Sequence, residues 1–131
     1  MSATRGGGLG RRWLACGAWC AALAVVAGAF GAHGLADRLD ARGLELWETA
    51  ARYLMYGGLA LGLLGLSEKD GSRDRWLDVA GTLLLAGAVV FSATVALLAL
   101  DGPRWLGAVT PIGGTLLILG FLIFAWAAVR H

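Results

Sequence analysis

Residues 79–100 read VAGTLLLAGAVVFSATVALLAL, 22 positions without a charge. A helix of that length rises about 33 Å at 1.5 Å per residue, enough to cross a hydrocarbon core of roughly 30 Å. On either side, residues 13–32 and 105–129 offer 20 and 25 uncharged positions of the same character. The stretch 53–67 is shorter, with 15 residues between Arg52 and Glu68. It reaches spanning length only if its helix starts near Thr49 and Arg52 carries its guanidinium outward along its own stem. A re-entrant helix is the alternative there.

Composition agrees with a membrane protein. Hydrophobic residues make up 58% of the 131 positions and charged ones only 15%, too apolar for an ordinary soluble domain. The sequence therefore predicts an all-α integral membrane protein: a compact four-transmembrane-helix bundle with a short amphipathic interfacial segment after helix one. A basic tail, 1–12, precedes a single membrane domain, 13–131, with helices at about 13–34, 49–67, 77–100 and 105–129. Trp13, Trp47, Trp76, Trp105 and Trp126 fall at or near the ends of these stretches, where an indole can keep its ring in lipid and its N–H among headgroups. Trp19 falls inside one.

Basic residues set the expected orientation. Arg5, Arg11, Arg12, Lys69, Arg73, Arg75 and Arg130 lie on one side of a four-span layout, and Arg38, Arg42, Arg52 and Arg104 on the other. Seven against four predicts that both termini face the cytoplasm, and the expected location is the bacterial cytoplasmic (inner) membrane. A net charge of +2 with no continuous basic tract gives no sign of nucleic-acid binding. The first span has a cleaved signal peptide as its rival, since arginines before an apolar run describe both, but its run is long for a signal core. Cys16 and Cys20 share a helical face inside an apolar segment, where small packing residues are expected rather than a disulfide or metal site.

Between 35 and 52, Asp37, Asp40, Glu45 and Glu48 alternate with three arginines and an apolar side, which fits an amphipathic helix on the membrane surface, broken or bent near Gly43. An ordinary polar loop is the alternative. Glu45, Glu48 and Arg52 have helical spacing, so the acids can hold the arginine near the start of the second span. Asp101-Gly102-Pro103 reads as a compact turn.

Small residues recur at packing intervals: Gly17, Ala21, Ala24, Gly28 and Ala32 on the first helix, with Gly31 close by, Gly81 and Ala88 on the third, and Gly113, Gly114 and Gly120 on the fourth. Such positions let backbones approach in lipid, where van der Waals contact replaces the missing hydrophobic drive. Three sites stand apart from this packing. His33 closes Gly28-Ala29-Phe30-Gly31-Ala32-His33 at a membrane boundary, where it either caps a helix end or relays protons. Thr110-Pro111 begins a region able to bend or expose carbonyls. Ser92 and Thr94 can bond across a helix interface. These residues could line a small polar cleft, or serve as ordinary helix-end and packing devices.

Gly28 to His33, Trp47 with Tyr53-Leu54-Met55-Tyr56, Phe91-Ser92 and Thr110-Pro111-Ile112-Gly113-Gly114 together resemble the membrane family called domain of unknown function 423, whose eukaryotic relatives include transmembrane protein 256. The resemblance covers nearly the whole chain after the arginine-rich tail. It implies a compact helical membrane protein and supplies no established activity. Gly57 stands where that family commonly has histidine, Ala93-Thr94-Val95-Ala96 replaces its Gly-Ser and tyrosine, and Gly120-Phe121 replaces its Gly-Trp. These departures leave His33 without its expected ionisable companion.

No nucleophile–base–acid set, phosphate loop or metal-ligand cluster appears in the sequence, so no enzyme activity, cofactor or metal is expected. A structural or accessory membrane component is the first functional expectation, and an oligomeric transporter of a small solute, ion or lipid the second. The expected partners are membrane lipids and either further copies of the chain or a membrane complex.

Overall fold

The computed structural model describes residues 8–68 and 74–130 and forms four helices there: α1 (Gly8–His33), α2 (Ala41–Ser67), α3 (Arg75–Ala99) and α4 (Leu106–Val129). They hold 26, 27, 25 and 24 residues, so each is about 36–40 Å long. By length and composition α1, α3 and α4 can cross a membrane. α2 matches them in length, but Arg42, Glu45, Glu48 and Arg52 in its first half make it less apolar. Arg5, Lys69 and Arg73, which entered the charge count, lie outside the described residues.

Two helix starts differ from the sequence expectation. α1 begins a turn early, so Arg11 and Arg12 are helical and exposed rather than part of a tail. α2 starts two turns early, at Ala41, and runs unbroken to Ser67. The surface helix expected between 35 and 52 is therefore largely the first part of α2. Asp40 explains the start: its Oδ1 accepts the Gly43 N–H at 2.8 Å, satisfying one of the donors a helix N-terminus leaves free. Gly43 does not break the helix. It is buried, and a β-carbon there would lie 3.3 Å from the Ala99 carbonyl oxygen.

The turn between α3 and α4 forms as the sequence suggests. Asp101 has φ of 63°, its N–H reaches the Leu98 carbonyl at 3.1 Å, and Gly102 N–H reaches that of Leu97 at 2.8 Å. This is the left-handed helix stop that satisfies the last carbonyls, with aspartate in the position glycine usually takes.

The helices pack mainly in chain order, α1 on α2, α2 on α3 and α3 on α4. The start of α1, the end of α2, the start of α3 and the end of α4 share one end of the molecule, as the Gly10–Gly65 approach and the 2.7 Å ion pair of Arg130 with Asp74 show. Leu61, Leu64 and Leu84 are the largest fully buried side chains, set among Ala60, Ala80 and Ala88. The outward faces are apolar and uncovered, Trp19 being 72% exposed and Leu122 61%. In water such faces would drive aggregation; in a bilayer they meet lipid.

Candidate functional site

Glycine makes the closest helix contacts. A β-carbon on Gly17 would collide with the Gly58 carbonyl oxygen, and one on Gly65 would lie 2.7 Å from the Leu14 nitrogen, so α1 and α2 touch backbone to backbone. Gly57 faces the Ala88 methyl on α3. Between α3 and α4, Gly87 rests on the Leu117 nitrogen (2.6 Å to a β-carbon), Gly113 on the Phe91 nitrogen (2.5 Å) and Gly120 on Leu84 (2.9 Å). Of the glycines expected to pack, Gly81 lies under the Trp13 ring, where a β-carbon would come within 2.6 Å of it, and Gly31 under the Trp47 ring, where a β-carbon would come within 2.5 Å. Gly114 makes only ordinary contact with Phe91. The expectation for Gly28 needs correction, because a β-carbon there would meet nothing within 4 Å. Gly10, Gly57, Gly58, Gly65 and Gly87 pack as closely without being among the packing positions that the sequence suggests. Their spacing gave a signal, but only the pairing of helices distinguishes a contact from an exposed stripe.

The polar residues divide into those brought together and those left apart. Thr110 Oγ1 lies 2.8 Å from Thr94 Oγ1, and Thr94 in turn reaches the Val90 carbonyl at 2.8 Å. Each hydroxyl has one hydrogen, so one threonine donates across the interface while the other donates to its own helix, Thr94 to the Val90 carbonyl or Thr110 to the Leu106 carbonyl at 3.0 Å; either arrangement joins α4 to α3. Pro111 follows within α4, exposed, and gives up the N–H that would have bonded the Gly107 carbonyl. Ser92 sits two residues before Thr94 but does not join this bond. It is 6% exposed and its Oγ has no hydrogen-bond partner.

His33, Glu48 and Arg52 are all exposed. Among the described residues His33 meets no carbonyl near Thr110 or Pro111, and no ion pair holds Arg52 to Glu45 or Glu48. The expected polar cleft is thus a single threonine–threonine bond. Around it Phe91 acts as a wedge, its ring 4.7 Å from that of Tyr53 on α2 while its backbone faces Gly113.

Tryptophans do more than mark boundaries. Trp13 fills the seam between α1 and α3 over Gly81 and turns its N–H toward Asp78 Oδ1 at 3.4 Å. Trp47 donates to the Ala27 carbonyl at 2.7 Å, fastening α2 to α1. Trp76 and Trp126 meet edge to face at 5.2 Å, with the Arg130 guanidinium over Trp126. Beyond Trp13 the α1–α3 seam opens into a groove of about 250 Å³ whose floor is α2, lined by Ala27, Trp47, Ala51, Leu54, Ser92 and Ala96 among others.

Comparison with known proteins gives a consistent picture. The family model described as protein of unknown function (DUF423) matches residues 27–114. A UPF0382 membrane protein of Staphylococcus epidermidis is 46% identical over 114 residues, 87% of this chain and 92% of the relative. Similar proteins named UPF0382 membrane protein occur in Staphylococcus saprophyticus, 47% identical over 82% of this chain and 88% of the relative, and in Bacillus subtilis, 37% identical over 88% and 94%. No solved structure matches.

Proposed function

The chain belongs to the DUF423 (UPF0382) family of membrane proteins, and from that premise we propose that it is a non-catalytic structural or accessory component of the bacterial cytoplasmic (inner) membrane. In this reading all four helices span, both termini lie in the cytoplasm, and the chain works as a homo-oligomer or within a membrane complex.

The observation that carries the reading is how the interior is used. The closest contacts between helices are made at glycines, against backbone, a methyl or an indole ring, and the hydroxyls of Thr94 and Thr110 serve to join α3 to α4. Such an interior holds helices together and leaves the broad apolar outer faces for lipid or other subunits.

A spanning α2 is supported by its packing. Its approaches to α1 run from Gly65 beside Gly10 to Trp47 over Gly31, so the two helices are coextensive over most of α1. Arg52 is compatible with this placement because a helical side chain leans toward its own N-terminus, here the end at Ala41. Its stem can lift the guanidinium toward headgroups.

Purification of the intact chain from its native membrane, with partner identification and stoichiometry, tests the function. A reproducible partner or fixed self-assembly supports it. A solitary chain that gives substrate-dependent flux in liposomes contradicts it and favours the transporter.

A further inference from the structure

The outer face of α2 carries charge inside its span, which those of α1, α3 and α4 do not. Along it Arg52, Tyr56, Leu59, Leu63 and Leu66 recur at alternating steps of four and three residues, and all are exposed, Leu63 by 62% and Leu66 by 70%. That is the spacing of a seam along which two helices pack. Glu48 lies one turn above Arg52 on the same side and is exposed as well.

Depth gives these polar groups a need. Gly31 packs under Trp47, so the end of the uncharged run of α1 is level with Trp47 on α2. Arg52 then lies about 8 Å and Tyr56 about 14 Å further into the apolar layer, at 1.5 Å per residue. Among the described residues no ion pair holds Arg52, and although the Tyr56 ring meets that of Tyr53 at 5.2 Å, its hydroxyl has no hydrogen-bond partner. Headgroups can reach an arginine that leans upward, but a phenol one turn deeper meets only hydrocarbon. Both groups gain from a polar partner at their own depth.

A second copy of the chain supplies that partner. Copies inserted in the same sense present this face at equal depth, and a two-fold axis along the membrane normal sets seam against seam. A side chain on a helix leans toward the helix N-terminus, which takes the Arg52 guanidinium up the turn of about 6 Å to the level of the partner's Glu48. The relation is mutual, so two ion pairs form. At the axis the two Tyr56 hydroxyls meet, one donating to the other, and below them the leucines interleave with their counterparts. Both signs of charge already lie on this one stripe, so it is complementary to itself.

We propose that this face of α2 is where the chain forms a parallel homodimer, with Arg52 of each copy paired to Glu48 of the other. The inference rests on the reading that α2 spans, and it names the face through which the chain assembles with itself.

The test co-expresses two differently tagged full chains, captures one tag from mild detergent and measures how much of the second follows. Parent chains should pair. When both copies carry Glu48→Arg, or both carry Arg52→Glu, like charges face each other and co-capture should fall by at least about tenfold. One Glu48→Arg chain with one Arg52→Glu chain should restore most of it, because opposite charges meet again. A second measurement avoids charge variants that insert poorly: in a Cys16→Ala, Cys20→Ala background, Leu59→Cys should give a disulfide-linked dimer in oxidised membranes, and Leu122→Cys on the exposed face of α4 should not.

Parent copies that do not follow one another, or equal linking through Leu122→Cys, would overturn the proposal. Pairing that survives Glu48→Arg and Arg52→Glu would move assembly to another face and leave the functional reading standing. Loss without rescue in the mixed pair would overturn it too, by assigning Arg52 to headgroups or to Glu48 of its own chain. A re-entrant α2 shows separately, as sites flanking the helix on one side of the membrane.

Discussion

In the half of α1 nearest Gly8, Gly10 and Gly17 lie against the backbone of α2 at Gly65 and Gly58, whereas in the half nearest His33, Gly28 meets nothing and Gly31 meets the ring of Trp47. The neighbouring seam with α3 changes in the same way. Trp13 seals it over Gly81 at one end, while the other end opens into the groove beside Ser92. A single small-residue stripe thus packs in two ways. What decides is the partner: glycine facing glycine lets two backbones touch, and glycine facing an indole makes room for one ring.

Substitution along α1 can break this comparison. The largest effect is expected for Gly17→Leu, since the side chain would have to displace the Gly58 carbonyl and the Gly62 nitrogen, both backbone. Most folded protein should be lost in mild detergent, and Gly58→Leu should behave alike. Parental yields from either would show that the backbones are not in contact.

Gly31→Ala should come next. Its methyl would sit 2.5 Å from Trp47 Cδ1, so the ring must shift, straining the 2.7 Å bond to the Ala27 carbonyl. A loss of about 1–3 kcal/mol is expected in reversible detergent unfolding. If Trp47→Phe costs as little as Gly28→Ala, the indole does not fasten this half.

Thr110→Val gives a polar reference away from α1. Removing the 2.8 Å bond to Thr94 should cost about 0.5–1 kcal/mol, in the range of interhelical hydrogen bonds in membranes. Thr94 keeps its bond to Val90, so nothing is stranded. A double-mutant cycle of Thr94→Val with Thr110→Val measures the coupling, and a value of zero would remove the bond from the account.

The smallest effect belongs to Gly28→Ala. With open space around the position, the change should be neutral or stabilise by up to about 1 kcal/mol through helix propensity. A loss as large as that of Gly31→Ala would mean that a further chain packs there.

These contrasts show what the sequence could reveal. Long uncharged runs announced the membrane class and three helices, because length and hydropathy are properties of one segment. In linear order the charges from Asp37 to Glu48 read as a separate surface helix ahead of a span that starts near Thr49; Glu45, Glu48 and Arg52 instead lie exposed on one continuous helix that Asp40 starts at Ala41. The 3.6-residue period picked out the α1 stripe but could not rank Gly17 above Gly28, since rank depends on Gly58 and Trp47, residues remote in sequence. Thr94 and Thr110 were legible as polar residues in apolar helices. Their pairing depended on the register that Gly87 and Gly113 set between α3 and α4.

The central claim is that α2 crosses the membrane with its neighbours, and it is tested most directly by placing paired reporters, one active only in the cytoplasm and one only outside it, beside Asp40 and within residues 69–73 of the full chain. A spanning α2 puts the Asp40 site outside and the 69–73 site in the cytoplasm, together with a fusion after Arg130. Finding the Asp40 and 69–73 sites on the same side would contradict it and leave α2 re-entrant.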